Sequence, residues 1–137
     1  MNEEECIFCK IAKNQIPSKK IYEDEKVIGF LDIFPVSKGH TVIIPKEHFE
    51  AIDTIDTEPL IHVMKAVKKL SSLILNKLHP DGLNIVQNNY QAAGQVVKHF
   101  HIHIIPRTKN DKKIQVFTPE NRATDEELDE ILDILKQ

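Results

Sequence analysis

Within Lys98–Pro106 (KHFHIHIIP) histidines and apolar residues take alternate positions. That period of two belongs to a β-strand, where successive side chains leave on opposite faces. The pattern puts His99, His101 and His103 on one face and Phe100, Ile102 and Ile104 on the other. Neighbouring histidines on that face would stand about 6.6–7 Å apart at Cα. A row of imidazoles backed by an apolar face demands a sheet with a core behind it. The chain is long enough to supply one, with 137 residues and 41% hydrophobic content.

The other elements follow from the same reading. Residues 5–13 make one or two helical turns, and Asn14–Lys19, with Pro17 and Ser18, a loop. Lys20–Asp24 and Lys26–Asp32 read as strands joined by an Asp24-Glu25 hairpin turn, and His40–Ile44 as a β-branched strand stopped by Pro45. Leu60, Met64, Val67, Leu70, Ile74 and Leu78 recur at helical spacing and predict a long helix capped by Asp56 or Thr57, ended by His79-Pro80-Asp81-Gly82. Leu83–Gln87 is a strand, Asn88–Gly94 a polar loop, and Thr124–Leu135 an acidic amphipathic helix. The predicted fold class is α+β: about five mostly antiparallel strands with one long helix across them and a C-terminal helix. No internal repeat or linker marks a boundary, so residues 1–137 read as one domain.

Composition excludes several function classes. The net charge of −3, from 18 basic and 21 acidic residues, argues against broad nucleic-acid binding. No apolar run approaches the length of a membrane helix, and the acidic opening MNEEECIFCK lacks a signal core. Two cysteines build no disulfide framework, and a reducing cytoplasm is the expected location.

Three readings of the histidine row are open: a solvated strand face, a catalytic zinc site, or a nucleophile. His-x-His on a strand can present two nitrogens to one ion. A neutral imidazole can attack phosphorus near pH 7 if an acceptor holds its other ring nitrogen. Val86-Gln87-Asn88-Asn89 and Gly94-Gln95 supply amide side chains and a Gly-permitted backbone approach for phosphate oxygens.

The heptapeptide His99-Phe100-His101-Ile102-His103-Ile104-Ile105 resembles the signature of the histidine triad nucleotide hydrolases and transferases. Cys6–Ile11, Phe30–Ile33, Lys38–Thr41 and Ile44–Lys46 are similar to segments of the Hint-like branch, so the likeness runs from about Cys6 to Arg107. The resemblance implies a nucleotide hydrolase in which His101 is the nucleophile that carries the nucleotidyl group; a metal-dependent hydrolase with zinc on the histidine strand, or a nucleotide-binding module with little turnover, are the alternatives. His99 and His103 would flank it, and His40 would support the row. Asp32 would accept hydrogen bonds from the ribose, Phe30 and Ile33 would pack near a purine base, and Asn88 and Gln95 would contact phosphate. Turn chemistry for Asp32 and Asn88, and core packing for Phe30 and Ile33, are the alternatives. A homodimer joined through the long helix and an edge strand is implied as well. One departure stands out: the family usually has Ser or Thr after the Gln, and this chain has Val96, which offers the leaving group no hydrogen bond unless a neighbour or a water does.

Cys6-x-x-Cys9 has the spacing of two ligands of one zinc ion. Two small buried residues, or a redox pair lacking its usual strand–helix context, are the alternatives. The resemblance points to His48 and His99 as the remaining ligands of one structural zinc per chain, with no organic cofactor. His62 and His79 are expected at the surface.

Overall fold

The computed structural model describes residues 3–115 and 118–137; Met1 and Asn2 of the acidic opening lie outside them. Five strands, β1 (Lys20–Glu23), β2 (Val27–Leu31), β3 (Thr41–Pro45), β4 (Gly82–Val86) and β5 (Ile102–Arg107), form one sheet in the order β1-β2-β3-β5-β4. Every pairing is antiparallel. Among the described residues three α-helices accompany it, α1 (Ile7–Ala12), α2 (Thr57–Leu78) and α3 (Asp125–Leu135), with a short 3-10 turn over Gln91–Ala93.

The alternation along β2 and β3 feeds two apolar layers. Val27 and Ile43 face α2 and join Val63, Val67, Leu70, Ile74, Phe100, Ile102 and Ile104 in one buried cluster. Ile28, Phe30, Val42 and Ile44 face the other way and bury with Ile11 of α1. Gly29 lets α2 approach the sheet: a Cβ there would stand 2.6 Å from Leu70 Cδ1. His103 is registered opposite Val42, so it shares the α1 side of the sheet.

Four expectations need correction. The ladder strand starts at Ile102, not Lys98, because the Phe100 N–H goes to the Phe49 carbonyl at 2.6 Å instead of to a neighbouring strand. His99 and His101 are nonetheless almost wholly buried, which removes the solvated-face reading. On α2 the buried residues are Val63, Ala66, Val67, Leu70 and Ile74, whereas Met64 and Leu78 are nearly half exposed; the apolar arc is wider than the face the sheet covers. Asp56 occupies the N-cap position without a side-chain hydrogen bond. His79 ends α2 in the left-handed conformation and is exposed, and His62 lies 3.8 Å from Glu58 near the surface. Thr124 caps α3 through the Glu127 N–H, but α3 buries no residue. No helix among the described residues is long and apolar enough to cross a membrane.

Candidate functional site

The histidine row is ordered by hydrogen bonds from the main chain. The Nδ1 of His101 lies 2.6 Å from the carbonyl oxygen of His99. A carbonyl only accepts, so Nδ1 carries the proton, and in the neutral ring Nε2 keeps its lone pair. Burial lowers the His101 pKa, although the same hydrogen bond and Asp32 oppose it, so the ring is neutral near pH 7. At the far end of the row the Val36 N–H donates to Nδ1 of His40 at 3.0 Å. The proton of neutral His40 therefore sits on Nε2 and is donated to Nδ1 of His103 at 2.9 Å. That leaves His103 protonated at its own Nε2. Burial, then the neighbouring His101 and His40, hold His103 down to about 4, and burial lowers His40 too. The rings of His101 and His103 stand 4.9 Å apart between centroids.

Asp32 joins this end of the row. One carboxylate oxygen accepts the Phe34 N–H at 2.8 Å in a turn, and the other lies 3.6 Å from Nε2 of His40. Phe30 is buried and meets Phe8 edge-on, while Ile33 is 79% exposed beside Asp32. Both turn chemistry at Asp32 and core packing at Phe30 are thus present, without using every face of either residue.

The loop before the row is braced. The Gln95 amide is buried and donates to the carbonyls of Glu50 and Val97, while its oxygen accepts the Tyr90 N–H at 2.7 Å. Its side chain is therefore committed to the loop and is not free to meet phosphate. The Asn88 amide, by contrast, has no hydrogen-bond partner among the described residues. Tyr90 takes φ 70° and ψ 163°, a region that belongs to glycine and costs a bulky residue about 1–3 kcal/mol. Its hydroxyl, 2.5 Å from Asp53, helps to hold it there. Val96 is 87% exposed, so it does not pack against the core.

The second cluster lies at the N-terminal corner. Cys6 caps α1 and Cys9 sits one turn on; both are buried free thiols. Nε2 of His99 donates to the Pro45 carbonyl at 2.8 Å, which leaves the Nδ1 lone pair facing inward. That nitrogen is 3.3 Å from Cys6 Sγ, 3.5 Å from Cys9 Sγ and 3.2 Å from Nδ1 of His48. The donor atoms of the four residues all lie within 4.8 Å of one another. A tetrahedral zinc with bonds of about 2.0–2.3 Å would set such edges at roughly 3.3–3.8 Å. Burial, then the Cys6 thiol, pushes Cys9 up to about 12, so only a cation at this corner would draw out its thiolate. The donor set, with the Pro45 carbonyl on the outer nitrogen of His99, fits a closed Cys2His2 site. Asp32, His40 and His103 also converge. They fit an ion poorly, because coordination through Nε2 of neutral His40 would require a proton on Nδ1, where Val36 already donates.

Sequence reasoning missed Phe8, whose ring meets His99, His101 and Phe30 edge-on at 5.0–5.9 Å. Its place between the two cysteines was the available signal. Tyr90 and Asp53 were missed as well, and nothing in their local sequence announces the strain.

Comparison with known proteins agrees with this construction. A family model for the HIT domain matches residues 13–110. An uncharacterized HIT-like protein of Methanocaldococcus jannaschii is 47% identical over 131 residues, covering 96% of this chain and 98% of that protein. An adenosine 5'-monophosphoramidase of Schizosaccharomyces pombe is 39% identical over 123 residues, or 90% of each chain. An adenylylsulfatase of Arabidopsis thaliana is 38% identical over 109 residues, covering 80% of this chain and 55% of that one. Among solved structures, a HIT family protein from Bacillus subtilis superimposes with a TM-score of 0.89 at 40% identity, over 96% of this chain and 95% of that one. A zinc-bound histidine triad family protein from Mycobacterium smegmatis gives a TM-score of 0.78 at 35% identity, over 87% and 86%. The family model spans residues 13–110, and relatives 39–47% identical cover 90% or more of the chain, so this chain belongs to the HIT family.

Proposed function

We propose that this protein hydrolyses purine nucleotide conjugates at the α-phosphorus through a covalent nucleotidyl-histidine. The observation that carries the reading is the buried, neutral His101, whose Nδ1–H is held by a carbonyl and whose Nε2 is a free lone pair. In the first step Nε2 forms a bond to phosphorus while the bond to the leaving group breaks and its electron pair departs with that group. In the second, water attacks phosphorus, His101 leaves as the free imidazole, and a nucleoside monophosphate is released. The Nε2–H of His103, oriented by His40, is the proton available to a basic leaving group or to the phosphate oxygens. Asp32 has an oxygen left over from its turn for the ribose hydroxyls, and exposed Ile33 offers an apolar edge to the base. Asn88 has an uncommitted amide for phosphate. The relatives that act on an adenosine phosphoramidate and on an adenylyl sulfate support adenosine conjugates as the class.

The corner of Cys6, Cys9, His48 and His99 is proposed to hold one structural zinc, which would tie α1 to the histidine row. It takes no part in the chemistry. A homodimer through α2 and the β4 edge is part of the same reading. It is supported by the exposed Ile61, Met64, Leu75 and Leu78 on α2 and Ile85 on β4. Light scattering near 16 kDa at micromolar concentration, rather than near twice that, would remove it.

The decisive experiment incubates the protein with adenosine conjugates labelled at the α-phosphorus. Acid-labile label on the chain, chased into AMP and absent from His101→Ala, is the expected result. AMP release with no trapped label and unchanged activity in that variant would overturn the covalent route.

A further inference from the structure

We propose that Ser37 is a positioning residue. Its hydroxyl ties the loop that ends in His40 to the strand that carries His103, and so fixes which nitrogen of His103 bears the proton. This rests on the nucleotidyl-transfer reading above and deepens it, because the Nε2–H of His103 is the donor which that reading offers to the substrate.

Residues 32–40 form a loop that closes on His40. The Asp32 N–H donates to the His40 carbonyl at 3.0 Å, the His40 N–H to the Ser37 carbonyl at 3.1 Å, and the Val36 N–H to Nδ1 of His40 at 3.0 Å. Gly39 takes φ 90° at the third position of the Ser37–His40 turn, where a type II turn needs glycine. Asp32 accepts the Phe34 N–H, and the Thr41 hydroxyl donates to the Gly39 carbonyl. All of these bonds are local. They give the loop its shape and leave its distance from β5 open.

Two hydrogen bonds bridge that distance. One is the His40–His103 bond itself, at 2.9 Å; the other runs from the half-buried Ser37 hydroxyl to the Pro106 carbonyl at 2.6 Å. Among the described residues no other side chain of 32–39 hydrogen-bonds outside the loop. The ladder gives no help here, because β3 meets β5 only as far as the Thr41–Ile104 pair. Ser37 stands three residues before His40, and Pro106 three residues after His103, so their bond closes a ring around the imidazole pair. The loop lies tightly on the strand: a Cβ on Gly39 would stand 3.3 Å from Pro106 and 2.5 Å from Leu78 Cδ1.

The proton on a neutral imidazole goes to whichever nitrogen its partners leave for it. His40 donates to Nδ1 of His103, and this alone keeps the His103 proton on Nε2. A hydrogen bond weakens steeply with distance and angle. A loop released from Pro106 would loosen the His40 bond, and the His103 proton could then move to Nδ1. A lone pair would stand where the substrate needs a donor. The loss falls on turnover and not on affinity, because the charge that the donor stabilises grows in the transition state.

The test reads the tautomer directly, by nuclear magnetic resonance of protein carrying isotope-labelled histidine, with the His103 signals identified by their absence from His103→Gln. The wild type should show one His103 tautomer, protonated at Nε2. Ser37→Ala should show a mixture of both, with kcat on an adenosine phosphoramidate lowered about fivefold and KM unchanged. Ser37→Thr, which keeps the hydroxyl, should restore both readouts. Thr41→Val removes a buried hydroxyl that bonds only within the loop. It should lower the melting temperature and leave the His103 tautomer as in the wild type. An unchanged His103 ring in Ser37→Ala, or the same tautomer change in Thr41→Val, would make the Ser37 bond merely structural and overturn the proposal. A wild type that cleaves neither the phosphoramidate nor benzoyl-adenylate, while its His103 ring responds to Ser37 as stated, removes the nucleotidyl-transfer reading and upholds the tether.

Discussion

Two groups of side chains on this molecule look alike by composition. One is Cys6, Cys9, His48 and His99; the other is Asp32, His40 and His103. Each brings three or four potential ligand atoms together. They differ in what the main chain does to the second nitrogen of the key imidazole. At the corner Pro45 offers a carbonyl, so His99 turns a lone pair toward the two thiols. At the other end Val36 offers an N–H, so His40 turns a proton toward His103. The first group is a basket of lone pairs and suits a cation. The second is a line of protons and suits proton transfer. Residue type says what an imidazole could do, and one backbone atom decides which of the two it does.

The largest expected effect separates the two groups. His101→Ala should lower turnover by several orders of magnitude while nucleotide affinity, by calorimetry, stays within about tenfold, since the lost interaction belongs to the transition state. Metal content should not change. Activity near that of the wild type would take His101 out of the chemistry.

The corner should fail in the opposite way. Protein purified without added zinc should carry one ion per chain by metal analysis. Cys9→Ser should lose it together with several kcal/mol of folding stability, by order of magnitude. His40→Asn should leave the stoichiometry at one. Two ions per chain in the wild type would break the comparison, and a metal-free protein with unchanged thermal stability would remove the corner from it.

A smaller effect is expected where the row meets the leaving group. Val96→Ser adds a hydroxyl at an exposed position. It should raise phosphoramidate turnover by about 5–150-fold, the value of roughly 1–3 kcal/mol for one hydrogen bond, and leave anhydride turnover nearly unchanged. The same gain on both substrate classes would show that position 96 does not face the leaving group.

The smallest effect is in pH. His103 is held at about 4, against an ordinary value of 6.5. Between those values the unfolded chain binds more protons than the folded one, so stability from this group rises with pH across the window and is complete above it. Urea midpoints between pH 4.5 and pH 7 should climb less steeply in His103→Gln than in the wild type. An identical slope would mean that other groups carry the dependence.

Much of the architecture was legible because local pattern and tertiary demand agree. The helix over 57–78 and the strands around it follow from periodicity and from stops such as His79-Pro80. Periodicity failed where a neighbour intervened. The alternation at 98–101 is a strand's, yet Phe49 takes the Phe100 N–H and keeps that stretch out of the ladder. Along α2 the apolar residues outnumber the places the sheet can cover, so spacing alone could not say that Val63 is buried and Met64 is not. At the site, the histidines and the paired cysteines were readable as types. Their proton positions were not, because Pro45, Val36 and the His99 carbonyl act through atoms that no residue letter encodes. Gln95 shows the converse: the right polar residue in the right loop, with its amide spent on the loop itself.

The acceptor that orients His101 is the carbonyl oxygen of residue 99. Each of the twenty amino acids carries that oxygen. A histidine steered by a carboxylate can lose its steering group through one codon change; His101 cannot. Drift at position 99 can strip the corner of a ligand and still leave His101 with a partner. What drift can alter is the path of the backbone, and here that path is held by Phe100 bonding Phe49. Inactive descendants of this chain should therefore bear their lesions in the segment around Phe49, which positions the carbonyl, as often as in the histidines themselves.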